Sequence, residues 1–207
     1  RFLHGPGGSG KTYCMTGVVV KVVRHFLGRR GVKAIAASNS AARLLLGKTM
    51  HQAGKMKRQQ SLKAKHLKPD SKARKALEKE WADMFLLLGD ELSLASPPLL
   101  AGISRRAFHG RCKLLGFKPE EILERTFGDV SVQVLMGDFL QLNPVKAHSL
   151  LEAFCTSHVA GVPHKTTEED ADGYLVFKNI CSNVVLFSGT HRFLDDDMPS
   201  LLEIMRT

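Results

Sequence analysis

No uninterrupted apolar run in this chain approaches the roughly 20 residues that a helix needs to cross a bilayer, and no leader-like segment opens it. Neither a transmembrane helix nor a signal peptide is expected, and a membrane is not an anticipated partner. Cysteine is sparse. Cys14, Cys112, Cys155 and Cys181 are scattered without a C-x-x-C pair, which excludes a dense disulfide framework. It points to reduced thiols in an intracellular setting, the nucleus or mitochondrion if the source is eukaryotic. Only Cys155, His158 and His164 have even a loose metal-like spacing, and ordinary loop or core positions account for them better than zinc does. Internal repeats and low-complexity tracts are missing as well. Acid is in short supply: 20 Asp and Glu stand against 30 Lys and Arg, a formal charge of +10.

The excess base is concentrated. Between Lys55 and Lys79, ten basic residues face only Asp70 and Glu78, a local balance of +8. A polyanion is the natural partner of such a stretch, although a solvated helical face within an insertion at about 52–80 accounts for it without one. The C-terminal third is acidic by contrast, and Glu168-Glu169-Asp170 and Asp195-Asp196-Asp197 read as exposed loops.

What is present is a phosphate loop. Gly5-Pro6-Gly7-Gly8-Ser9-Gly10-Lys11-Thr12 fits G-x-x-x-x-G-K-[S/T] and lies between a short apolar strand ending near His4 and an apolar helical run. Chance would supply the four fixed positions with a probability on the order of 1% in a chain of this length. Glycines let backbone N–H groups close on phosphate oxygens, and the following helix adds its positive end. Lys11 reaches the terminal phosphates as a point charge, and Thr12 places a hydroxyl on a bridging Mg²⁺. Helical spacing is expected over Tyr13 to Leu27, with Val18, Val22, Val23, Phe26 and Leu27 as its apolar positions and Gly28 as its stop.

With 207 residues the chain suits one α/β domain. Strands are expected at Val32 to Ala37, Met84 to Leu88, Val130 to Met136 and Asn183 to Phe187. Helices are expected at Ala41 to Leu46, after the cap Ser96-Pro97-Pro98, from Pro119-Glu120-Glu121, and at Asp197 to Met205. Alternation of this kind favours a parallel sheet. Asp90-Glu91 follows the apolar run Met84 to Leu88, at the C-terminal edge of a buried strand where ligands of open α/β sheets collect. Asp90 is the candidate Mg²⁺ carboxylate, and Glu91 the candidate base for an attacking water. A surface Asp-Glu pair is the bland reading. Gln141, beyond Val130 to Met136, carries an amide that can both donate and accept, which suits a sensor of the γ-phosphate or its attacking water.

In order, G-P-G-G-S-G-K-T, A-A-S-N-S-A-A-R-L-L-L-G-K-T-M-H, L-L-L-G-D-E-L-S, F-G-D-V-S-V-Q-V-L-M-G-D-F-L-Q-L-N-P-V and V-V-L-F-S-G-T-H-R-F resemble the first motor domain of Pif-type DNA helicases. These are superfamily-one, B-type enzymes and include Helitron-type helicases. The resemblance implies a RecA-like P-loop domain with a mostly parallel sheet flanked by helices. It implies ATP and Mg²⁺ as cofactors, single-stranded and junction DNA as partners, five-prime to three-prime movement, and roles in repair, recombination or telomere upkeep. It also assigns Ser38, Asn39, Thr49 and His51 to the DNA strand, Gln141 to coupling, and Arg192 to the γ-phosphate. Without it, Thr49 reads as a helix cap, His51 as a loop histidine and Arg192 as a surface residue.

The chain departs from the family pattern at Gly89, where a bulky apolar residue is usual, at Asn143 in place of proline, and at Phe193 in place of glutamine. Gly89 is expected to loosen the strand that holds Asp90. The resemblance further implies a second RecA-like domain after Thr207 and an adenine-reading segment before Arg1, so the chain is expected to be a fragment of weak activity by itself. A P-loop ATPase with no nucleic-acid role, and a non-catalytic transposon remnant that binds nucleotide, remain the alternatives.

Overall fold

The computed structural model describes residues 1–57, 67–68, 70–144, 147–152 and 167–189. Six strands form one sheet: β1 (Phe2–His4), β2 (Val32–Ala36), β3 (Lys48–Thr49), β4 (Leu86–Asp90), β5 (Val132–Gly137) and β6 (Val184–Leu186). Their order is β3-β2-β4-β5-β1-β6, and every pairing is parallel. Parallel neighbours require crossovers, and crossover helices bury both faces of the sheet. Leu87, Ile35 and Leu135 face one core, with Leu77, Trp81, Leu100, Ile103 and Phe177. Leu86, Leu88, Ala36 and Met136 face the other, with Met15, Val20, Ala41 and Ala42. This two-sided burial explains why β4 is a run of leucines with no polar alternation.

The helices are α1 (Lys11–Cys14), α2 (Val20–Leu27), α3 (Asn39–Leu44), α4 (Met50–Ala53), α5 (Lys72–Trp81), α6 (Pro97–Leu115) and α7 (Glu168–Ile180). Met15–Val19 joins α1 to α2 as a π-helical segment. That wider turn rotates the apolar positions expected to face the core. Met15 and Val20 are buried, whereas Val18, Val22, Phe26 and Leu27 are exposed. Strands β4 and β5 each begin two residues later than expected, because Phe85 and Ser131 only lead into the sheet, and β4 then carries Gly89 and Asp90 within it. Pro119–Ile122 is a single 3₁₀ turn and not a longer helix. The acidic run Glu168-Glu169-Asp170, expected to be a loop, is the first turn of α7. Thr167 caps it in a reciprocal box with Asp170, and carboxylates there complement the helix dipole. The expected helix at Asp197 to Met205 lies outside the described residues.

Two features fix β4. Arg111 of α6 is buried and donates from Nη1 to the carbonyls of Trp81, Ala82 and Met84, at 3.3, 3.1 and 2.7 Å, which sets the entry to the strand. At Gly89 the space is taken by Leu135 of β5, whose Cδ2 lies 2.4 Å from where a Cβ would sit. The strand pairs with β2 through Asp90 and with β5 through Gly89, so the glycine accommodates a larger neighbour and does not free the strand.

Candidate active site

Strand β1 runs directly into the phosphate loop. Gly8 and Gly10 have φ of 83° and 86°, where a Cβ is disfavoured, and Gly10 caps the helical run that starts at Lys11. Gly5 is needed for a different reason: a Cβ there would stand 2.5 Å from the carbonyl oxygen of Phe187. Lys11 is buried. Its Nζ donates to the carbonyls of Gly5 at 2.7 Å and Pro6 at 2.8 Å, and approaches Ser9 Oγ at 3.3 Å. The lysine thus closes the loop over its own backbone.

Thr12 Oγ1 donates to Asp90 Oδ2 at 3.0 Å, which joins the loop to the end of β4. The other carboxylate oxygen of Asp90 accepts from the N–H of Glu91 at 2.8 Å. Glu91 has left-handed backbone angles, φ 55° and ψ 42°, and that bend ends the strand. Burial, then the charge of Asp90, raise the pKa of the Glu91 carboxyl, and Lys11 opposes them. A carboxylate with raised proton affinity is a better base toward water. Thr12 and Asp90 offer hard oxygen donors, as Mg²⁺ requires, and a single carboxylate suits an ion that takes its remaining ligands from phosphate and water. Among the described residues no group of three His, Cys, Asp or Glu side chains forms an all-protein cage for a metal.

The third edge of the site comes from β5. Gln141 Nε2 donates to Asp138 Oδ2 at 3.0 Å and lies 2.9 Å from where a Cβ on Gly7 would be. The glutamine therefore reaches from the end of β5 to the phosphate loop. Together the loop, Asp90, Glu91, Ser93, Asp138 and Gln141 line a cleft of about 660 Å³ at the C-terminal edge of the sheet. A larger hollow, about 970 Å³, is lined by Arg1, Leu3, Ser131 and Val132 toward the opposite ends of the strands. It contains no phosphate-cradling loop. Asp138 lies inside the G-D-F-L-Q-L segment, but the sequence alone assigns it no role. A signal for it exists all the same: like Asp90, it stands at the C-terminal end of an apolar parallel strand.

The residues assigned to DNA lie on the same edge, at and just after the C-terminal ends of β2 and β3. Ser38 caps α3 by accepting from the N–H of Ala41 at 3.2 Å, and Asn39 beside it is exposed. Thr49 is buried and caps α4 in a reciprocal box with Gln52, while His51 is half-buried on α4. Asn143, where proline is usual, is exposed and nothing in the structure explains it. Arg192, Phe193, Cys155, His158 and His164 lie outside the described residues.

The family profile of PIF1-like helicases matches residues 1–160. The chain belongs to the PIF1-like helicase family. Among solved structures, the fold is similar to Pif1 helicase from Candida albicans, with 18% identity and a TM-score of 0.62, covering 99% of this chain and 40% of that one. It is similar to Bacteroides Pif1 bound to ssDNA, with 23% identity and a TM-score of 0.62, covering 99% of this chain and 42% of that one. It is also similar to Bacteroides Pif1 in complex with ADP-AlF3 and ssDNA, with 23% identity and a TM-score of 0.61, at the same coverages of 99% and 42%. The chain spans about two fifths of the length of these structures. No curated protein matches it. The described fold, an all-parallel sheet with helices on both faces and a P-loop after β1, is that of a RecA-like helicase motor domain.

Proposed function

We propose that this domain is the ATP-binding half of a DNA helicase motor, hydrolysing ATP as it moves along single-stranded DNA. The observation that carries this reading is the convergence of Lys11, Thr12, Asp90, Glu91 and Gln141 on one cleft. Backbone N–H groups of Gly8 and Gly10 hold the phosphates, and Lys11 reaches the terminal phosphate oxygens. Thr12 and Asp90 would hold Mg²⁺, which would supply charge neutralisation at the phosphates. Glu91 takes the proton of the attacking water, and Gln141 registers whether the γ-phosphate is present. Ser38, Asn39, Thr49 and His51 border the strand path and touch backbone rather than bases, which makes binding sequence-tolerant. Arg192, a second RecA-like domain, five-prime to three-prime polarity and roles in repair, recombination or telomere upkeep come from the family resemblance and complete the proposal.

Two measurements test it. Steady-state ATP hydrolysis should be stimulated by single-stranded DNA and fall roughly 10²- to 10⁴-fold in both Lys11→Ala and Glu91→Gln. Fluorescence titration with an oligonucleotide at two salt concentrations should show affinity that drops with salt. DNA binding absent even at low salt favours an ATPase without a nucleic-acid role. Turnover that neither substitution changes rejects the catalytic reading.

A further inference from the structure

We propose that Asp138 is a positioning residue: it fixes which end of the Gln141 amide faces the nucleotide, and so sets how strongly the domain prefers a nucleoside triphosphate over a diphosphate. This rests on the ATP-site reading above. Asp138 is 4% exposed and follows Gly137, the last residue of β5. The strand end there is clamped, since a Cβ on Gly137 would stand 3.2 Å from the backbone nitrogens of both Leu92 and Ser93, in the turn beyond Asp90 and Glu91. The Asp138 carboxylate therefore has a fixed position relative to the hydrolytic pair.

Both of its oxygens are engaged. Oδ1 accepts from the N–H of Leu140 at 3.1 Å, and Oδ2 accepts from Gln141 Nε2 at 3.0 Å. The backbone closes the same turn, with the N–H of Gln141 donating to the Asp138 carbonyl at 3.2 Å. A carboxylate only accepts, so it holds the nitrogen end of the glutamine amide and repels the oxygen end. Gln141 is exposed, and the terminal torsion of a glutamine is broad and nearly two-fold. Without Asp138 the two amide orientations would be close in energy. With it, Nε2 lies between Asp138 and Gly7, its second hydrogen is directed by the first bond, and Oε1 takes the remaining direction. A sensor whose donor and acceptor ends exchange freely would read a γ-phosphate poorly. Asp138 touches no phosphate in this scheme; it acts through Gln141.

The test measures the affinities of a non-hydrolysable ATP analogue and of ADP for the wild-type chain, Asp138→Ala, Gln141→Ala and the double variant. Both single variants should cut the triphosphate preference about tenfold, the effect of losing one hydrogen bond to a charged group, with ADP affinity within about twofold of wild type. The double variant should be no worse than Gln141→Ala alone, because the two residues act in series. Should Asp138→Ala melt early, Asp138→Asn keeps the volume and one acceptor and should show a smaller loss of the same kind. A preserved preference in the Asp138 variants, an effect that adds fully to that of Gln141→Ala, or an equal loss for both nucleotides overturns the proposal. A wild-type chain that binds neither nucleotide overturns the ATP-site reading itself, and this proposal with it.

Discussion

Glu91 combines left-handed backbone angles with a raised carboxyl pKa. A non-glycine residue in the left-handed region costs roughly 1–2 kcal/mol, and burial beside Asp90 raises the pKa of its carboxyl. Both are consistent with a side chain placed for chemistry, as strain and shifted proton affinity gather at functional sites. The pKa shift has a definite consequence for stability. A carboxyl whose folded pKa lies above its unfolded value of about 4.5 makes the folded state bind more protons between the two, so stability falls as pH rises through that window. Above the folded value the penalty is complete. Glu91→Gln removes the charge and keeps the shape. At pH 7 it should melt above wild type, and the gap should close as the pH is lowered toward 4.5, the unfolded value. Thermal melts across pH 4 to 8 check this, and a gap that widens toward acid would contradict the sign. At the same scale, Gly89 is legible in the sequence as a departure but its compensation is not. Leu135 lies 46 residues away in the chain, and only the pairing of β4 with β5 brings it to Gly89.

At the scale of elements, the acidic residue just beyond the basic stretch gathers lysines from β2, β3 and the segment after α4. Glu80, near the end of α5, pairs with Lys48 of β3, with Lys55 after α4 at 3.6 Å and with Lys33 of β2 at 3.9 Å. Burial raises the Glu80 pKa, but the hydrogen bond from Lys48 and the charges of Lys33, Lys48 and Lys55 outweigh it, and the net shift is downward. Lys33 lies 4.6 Å over the Trp81 ring, and its pKa is lowered to about 8, first by burial and then by Lys48 and Lys55 against Glu80. Three ammonium groups on one carboxylate leave a surplus of positive charge, and one of them belongs to Lys48, which directly precedes Thr49 in β3. If single-stranded DNA crosses this rim, Lys48→Ala with Lys55→Ala should lower the salt dependence of binding by roughly 0.7 for each phosphate that is no longer neutralised, and Glu80→Gln should strengthen binding at low salt. Titrations over a salt series decide it; unchanged slopes in the double variant remove these lysines from the DNA path. Several elements are readable for local reasons. The Ser96 cap with Pro97 and Pro98 announces α6, and leucines announce β4. The π-helical turn at Met15–Val19 and the two-residue β3 are not, because a changed period and a short edge pairing answer to tertiary packing.

For the whole molecule, alternating strand and helix implies a parallel sheet, but the order β3-β2-β4-β5-β1-β6 depends on which crossover packs where, and no local pattern encodes that. The site is more legible than the topology. Its groups follow β1, β4 and β5, and a parallel sheet delivers the C-terminal ends of all its strands to one edge. Convergence therefore needs only the class of fold, not the strand order. A site assembled from three strands should respond to its ligand as a unit. Lys11 donates to Gly5, Pro6 and Ser9, which ties the phosphate loop to its own lysine. A ligand that binds only the folded chain adds its binding free energy to the stability of the whole domain. With Mg-ATP at about 100 times its Kd the gain is about 2.7 kcal/mol. In a domain of this size each kcal/mol raises Tm by roughly 2–4 °C, so the melt should move up by about 5–11 °C. On the proposed reading, Lys11→Ala loses the charge that draws the phosphates in. It should melt slightly below wild type without nucleotide and gain nothing when Mg-ATP is added. Differential scanning calorimetry of both proteins, with and without Mg-ATP, makes the comparison, and an equal upward shift in the two would place nucleotide binding elsewhere than the phosphate loop.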